Sequence, residues 1–215
     1  PHFILEMANV HSGDKNKIIE MINVFSDSNY DNLGIKFQPL RYDKIALEDF
    51  EWYSVYKDLY LNEIEWDEII KHSEKKFKFI WLDLFDSYGV KILKNNINLI
   101  DGIKIQASVV DNIEVFDKLS DLKLIEKKLI VNISGYTISK IEKIISHYQS
   151  LNVSELIIQI GFQFFPTDIK NTAINKISVL KSAFPENKIC FADHISGEKD
   201  FAKILPSIAY ALGCD

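Results

Sequence analysis

Residues 3–14 read FILEMANVHSGD, and the fold turns on how the first six are taken. Phe3, Ile4, Leu5 and Met7 suit a buried strand, yet Glu6 interrupts them, and Asn9, His11 and a Gly13-Asp14 turn follow at once. Side chains alternate across a strand, so Phe3, Leu5 and Met7 share one side while Ile4, Glu6 and Ala8 share the other. A strand apolar on one side and acidic on the other fits a parallel sheet that packs under helices on its first face and meets a cavity on its second.

The same signal recurs along the chain. Short β-branched or aromatic runs occupy residues 3–8, 34–38, 77–85, 102–107, 128–134, 155–161 and 188–194, with amphipathic stretches between them. Residues 14–25 put Ile18, Ile19, Ile22 and Phe25 on one helical face, and residues 139–151 do the same with Ile141, Ile144, Ile145 and Tyr148. Ser139 followed by Glu142 predicts a capping box. Strand-helix units in unbroken succession predict an α/β fold, a TIM (β/α)8-type barrel with seven βα units visible, in a single barrel domain over residues 1–215. A doubly wound sheet closes after about five or six strands and fits less well. Residues 40–63, with Trp52, Tyr53, Tyr56 and Tyr60, read either as a lid or sugar-facing wall, or as a surface helix packed by aromatics.

Composition narrows the function classes. A chain of 215 residues can bury a sizeable core, and with 47% hydrophobic residues but no unbroken apolar run of membrane length it reads as a soluble protein without a membrane partner. The 31 acidic and 25 basic residues are well mixed and leave a net charge of −6, so no basic face is offered to nucleic acid. Cys190 and Cys214 form no CxxC and suit a reducing compartment, and no signal peptide is legible, so a cytoplasmic location is expected.

The parity that splits the first strand sorts the others. Lys36 and Gln38 turn inward from GIKFQP, Lys104 and Gln106 from IKIQAS, Asn132 and Ser134 from IVNIS, Gln159 from IIQIG, and Ala192 and His194 from ICFADH. A buried charge is costly unless paired or solvated, so charges repeated on several strands argue for a water-filled or ligand-filled cavity. Two converging lysines suit an anionic ligand, and active sites of this fold sit at the carboxyl ends of the strands. His194 reads as a core histidine, a general base or a metal ligand.

The segments FILEMANVHSGD, GIKFQ, KIQAS, FFPTD, FADH and ALGCD, in this order, resemble the catalytic barrel of the N-acetylneuraminate (sialic acid) synthase family. The opening E-x-x-N-x-H-x-G-D, the K-F-Q strand and the A-D-H strand are the most specific parts. The resemblance implies an enzyme that condenses phosphoenolpyruvate with an open-chain N-acetylated hexose, N-acetylmannosamine or a related sugar, with C–O cleavage and phosphate release. It also implies a place in surface polysaccharide biosynthesis, a Mn2+ or Mg2+ ion, and a homodimer. By the same resemblance, catalysis falls to Glu6, Lys36 and His194, with Glu6 as a proton shuttle and His194 also the metal ligand. Substrate binding falls to Lys104, Gln38, Asn9, Ser134 and Gln163, while His11 and Asp193 support them. Leu82-Asp83-Leu84-Phe85 stands where the family has S-T-P-F, and Ala107 and Ala192 stand where it has serines. The family's eighth strand, which brings a second metal histidine, and its small antifreeze-like domain are not found, so a barrel lacking that strand is expected. Two alternatives stay open: a catalytically degenerate barrel that binds a sugar or a partner, and another phosphate-handling keto-acid synthase or aldolase.

Overall fold

The computed structural model describes residues 2–27, 30 and 32–215. Seven strands, β1 (Phe3–Glu6), β2 (Leu33–Phe37), β3 (Phe79–Leu84), β4 (Gly102–Ile105), β5 (Lys128–Asn132), β6 (Glu155–Ile160) and β7 (Lys188–Phe191), pair in chain order, every neighbour parallel. They curl around one cavity as part of a barrel. Among the described residues no ladder joins β7 back to β1. Asp215 instead stands beside β7, its N–H donating to the Ile189 carbonyl at 2.9 Å and its carboxylate accepting from the Ile189 N–H at 3.0 Å.

Helices α1 (Lys15–Ser26), α4 (Glu63–Glu74), α5 (Ser87–Asn95), α6 (Ile113–Ser120), α7 (Ile138–Gln149), α8 (Lys176–Ala183) and α9 (Leu205–Ala211) accompany the strands. Strand parity builds the core between sheet and helices. Ile80, Leu82 and Leu84 of β3 join Ile18 and Ile22 of α1 and Trp66, Ile69 and Ile70 of α4 in one buried cluster, whereas Trp81 and Asp83 fall on the inner side. Trp81 forms part of the interior floor. It lies across Gly102, its register partner, so closely that a Cβ there would come within 2.2 Å of the indole.

Each strand stops short of the end of its apolar run, and the residues beyond it are polar or turn-forming. Ala8, predicted as strand, sits in a turn with φ 42°, and Gln106, Ser134 and His194 lie in the loops after β4, β5 and β7. The first helix starts at Lys15, with Asp14 as its cap accepting from the Asn16 N–H at 2.8 Å. The capping box predicted at Ser139 is corrected. Thr137 is the last extended residue before α7, and its hydroxyl accepts from the Lys140 N–H at 3.4 Å, which leaves Ser139 inside the helix. A capping box is present on α4 instead, where Asn62 accepts from the Glu65 N–H at 3.2 Å and Glu65 accepts from the Asn62 N–H at 2.8 Å.

The aromatic insertion takes the surface-helix form rather than the lid or wall. It folds into α2 (Tyr42–Ile45) and α3 (Tyr53–Asp58), tied by edge contacts of Tyr42 with Tyr53 and Tyr60, and it does not line the cavity. Its end packs on the β1–α1 turn, where Gly13, at φ 76°, leaves room for the Asp58 carbonyl.

Candidate active site

The polar residues form a belt across neighbouring strands. Glu6 of β1 is the register partner of Lys36 of β2, Asp83 of β3 that of Lys104 of β4, and Gln159 of β6 faces Asn132 on one side and Cys190 on the other. One atom gathers most of it. Oδ2 of Asp83, a residue with 0% exposure, accepts from Lys104 Nζ at 2.9 Å, Gln106 Nε2 at 2.7 Å, Lys36 Nζ at 3.3 Å and Gln38 Nε2 at 3.4 Å. The Lys36 ammonium also donates to Glu6 Oε2, while Glu6 Oε1 accepts from the Ala8 N–H at 3.1 Å. Asn132 extends the network by donating to Gln106 Oε1 at 3.3 Å.

These groups border a cavity of about 750 Å³. Glu6, Lys36, Gln38, Lys104, Gln106 and His194 line it, while Asp83 lies behind them. Burial pulls the Lys36 ammonium down to about 8; Asp83 resists that fall and the neighbouring Lys104 adds to it. The Cys190 thiol, also facing the cavity, is pushed up to about 11 by burial, which keeps it protonated at neutral pH. The belt therefore presents two ammonium groups and two carboxamides to anything that enters, with the Glu6 carboxylate paired to one of the ammonium groups.

The other candidates are placed differently. His194 is half-buried and lines the cavity, with its Nδ1 held by the Phe162 carbonyl, which leaves Nε2 as the nitrogen available to a ligand. Asp193 accepts from the Ile195 N–H at 2.9 Å and so shapes its own loop. Ser134 donates to the Gly161 carbonyl at 2.5 Å and accepts from Gln163 at 3.5 Å, a pairing at the ends of β5 and β6 outside the cavity lining. Asn9 lies in the turn after β1 and likewise does not line the cavity. His11 turns away altogether: it is 1% exposed, accepts from the Gly13 N–H at 3.0 Å, meets Trp66 edge-on, and burial lowers its pKa. It is a neutral core histidine that holds the turn.

Asp83 and Cys190 are the members of the belt that inward parity had not been used to place. The signal was present, since the carboxylate next to the end of FIWLDL shares its side with Trp81 and not with Ile80, Leu82 and Leu84. As for a metal, no group of three His, Cys, Asp or Glu side chains converges among the described residues. One imidazole does not make a divalent-cation site, so the residues present do not fit the expected ion and no chemical step is routed through it.

Comparison with known proteins places this belt in a family. Residues 34–215 match the NeuB family, and the match includes every belt residue except Glu6. The chain belongs to the NeuB family. Three solved structures have a similar fold. A protein described as spore coat polysaccharide biosynthesis protein E, from Chromobacterium violaceum, is 19% identical with a TM-score of 0.86 over 100% of this chain and 64% of its own. The N-acetylneuraminic acid (sialic acid) synthetase of Leptospira borgpetersenii, solved with citrate, is 24% identical with a TM-score of 0.82 over 99% of this chain and 70% of its own. The spore coat polysaccharide biosynthesis protein of Bacillus subtilis is 18% identical with a TM-score of 0.79 over 99% of this chain and 57% of its own. At such identities the likeness is one of fold, and this NeuB-family chain spans only 57 to 70% of those chains. No curated protein sequence matches it.

Proposed function

We propose that this NeuB-family chain carries the site of a sialic acid synthase-like enzyme of carbohydrate biosynthesis, which condenses phosphoenolpyruvate with the aldehyde form of an N-acetylated hexose. The observation that carries the reading is the convergence of Lys36 and Lys104 on the cavity side of Asp83. Phosphoenolpyruvate bears a phosphate and a carboxylate, and two ammonium groups flanked by Gln38 and Gln106 offer charged and neutral donors to both. Such donors hold the enol carbon toward the sugar aldehyde. A new C–C bond then forms between the enol carbon and the aldehyde carbon, the aldehyde oxygen gains a proton, water adds at the phosphate-bearing carbon and loses one, and the C–O bond to phosphate breaks to leave the ketone. Glu6, paired with Lys36, is the group placed to pass that proton from the water to the aldehyde oxygen. A homodimeric assembly belongs to the same proposal, and no step above depends on it.

The test is phosphate release from phosphoenolpyruvate in the presence of N-acetylmannosamine or related acetamido sugars and manganese. Release that needs both substrates, and that Lys36→Met and Glu6→Gln abolish, supports the reading. Binding of the sugar without any release would favour a binding barrel. Trapping of a keto acid on Lys36 or Lys104 by borohydride would favour an imine-forming aldolase instead.

A further inference from the structure

We propose that Asp83 is the positioning residue of this cavity, gripping its four donors from behind and keeping the Lys36 and Lys104 amines charged. The inference deepens the reading of the cavity as an anion site and rests on it for its functional sense. Its basis is geometric. Asp83 is completely buried, does not line the cavity, and yet its Oδ2 accepts from four side chains that do, on β2 and in the first residues after β2 and β4 as well as on β4 itself. An ammonium has three protons, so each lysine can keep one on Asp83 and still direct another into the cavity. Two amines side by side in a buried site repel and desolvate each other, and without a carboxylate at their back at least one would lose its proton near neutrality. The groups facing Lys36 are Glu6 from β1, Asp83 from β3, Lys104 from β4 and the Cys190 thiol from β7. Of these, Asp83 supports its charge most strongly, and Lys104 works against it.

The experiment needs no substrate. Acetylation of Lys36 by acetic anhydride, read by peptide mass spectrometry across a pH series, gives the midpoint at which the amine loses its proton. In Asp83→Asn that midpoint falls by about one pH unit or more, whereas Asp83→Glu, which keeps the charge, stays near wild type. Asp83→Ser, with a smaller side chain, replaces Asp83→Asn if circular dichroism shows that variant unfolded. An unchanged midpoint in the folded neutral variant, or an equal fall in Asp83→Glu, overturns the proposal. A second arm adds phosphoenolpyruvate to the wild-type protein. If it fails to protect Lys36 while the midpoint still moves, the substrate reading fails and the positioning role of Asp83 stands.

Discussion

Lys104 and Asp83 face each other across adjacent parallel strands, ammonium to carboxylate at 2.9 Å, with side-chain exposures of 6% and 0%. Because both are removed from water, deleting the Lys104 ammonium leaves the buried Asp83 carboxylate with its nearer cation gone and the Lys36 ammonium, at 3.3 Å, as its remaining charged donor. Lys104→Met is expected to destabilise the fold by about 3 kcal/mol in urea denaturation. The exposed pair of Lys140 and Asp111, at 2.7 Å, provides the contrast, and Lys140→Met should leave the denaturation midpoint close to wild type.

Lys36 makes stability depend on pH in an unusual direction. Burial brings it from the ordinary lysine value of 10.5 to about 8, so between these pH values the unfolded chain holds a proton that the folded chain has released. Its contribution to stability therefore rises with pH across that window, and below it the cost of burying the charged amine is felt in full. Urea unfolding at about pH 7 and about pH 10 should show a gain on the order of 2 kcal/mol in wild type relative to Lys36→Met. Anion affinity runs the other way, since the neutral amine no longer attracts the ligand.

Two glycines with left-handed backbones separate strain from crowding. Gly135, at φ 88°, has nothing within 4 Å of an added Cβ, so Gly135→Ala should cost only the conformational penalty of about 1 kcal/mol. Gly13, at φ 76°, would place that carbon 1.9 Å from the Asp58 carbonyl oxygen, and Gly13→Ala should cost more than about 3 kcal/mol as α3 is forced off the β1–α1 turn. Comparison of the two denaturation midpoints checks the difference.

The strands were legible because parallel strands covered by helices are written as compact apolar runs, and parity then turned Lys36, Gln38, Lys104, Gln106, Asn132 and Gln159 inward as the structure has them. What escaped depended on contacts between distant residues. Asp83 stood out only as a departure from S-T-P-F, because nothing local says that a carboxylate will be surrounded by donors from the strands on either side. His11 carried a motif position, yet the Gly13 N–H and the Trp66 ring draw it into the core. Thr137 and Ser139 are both competent caps in isolation, and only the turn at Gly135 decides that the chain is already helical by Ile138. At β1 the parity blurs for a physical reason: it is an edge strand, and the cavity reaches Phe3 and Leu5 as well as Ile4 and Glu6.

The central claim is that the two buried amines serve an anionic substrate. Calorimetric titration of phosphoenolpyruvate into the wild-type protein and into Lys104→Met tests it most directly. Binding by wild type that weakens at least about tenfold in the variant, and that fades as pH rises past about 8, is the predicted result. Absence of binding to the folded wild-type protein, or equal binding by both, would contradict it.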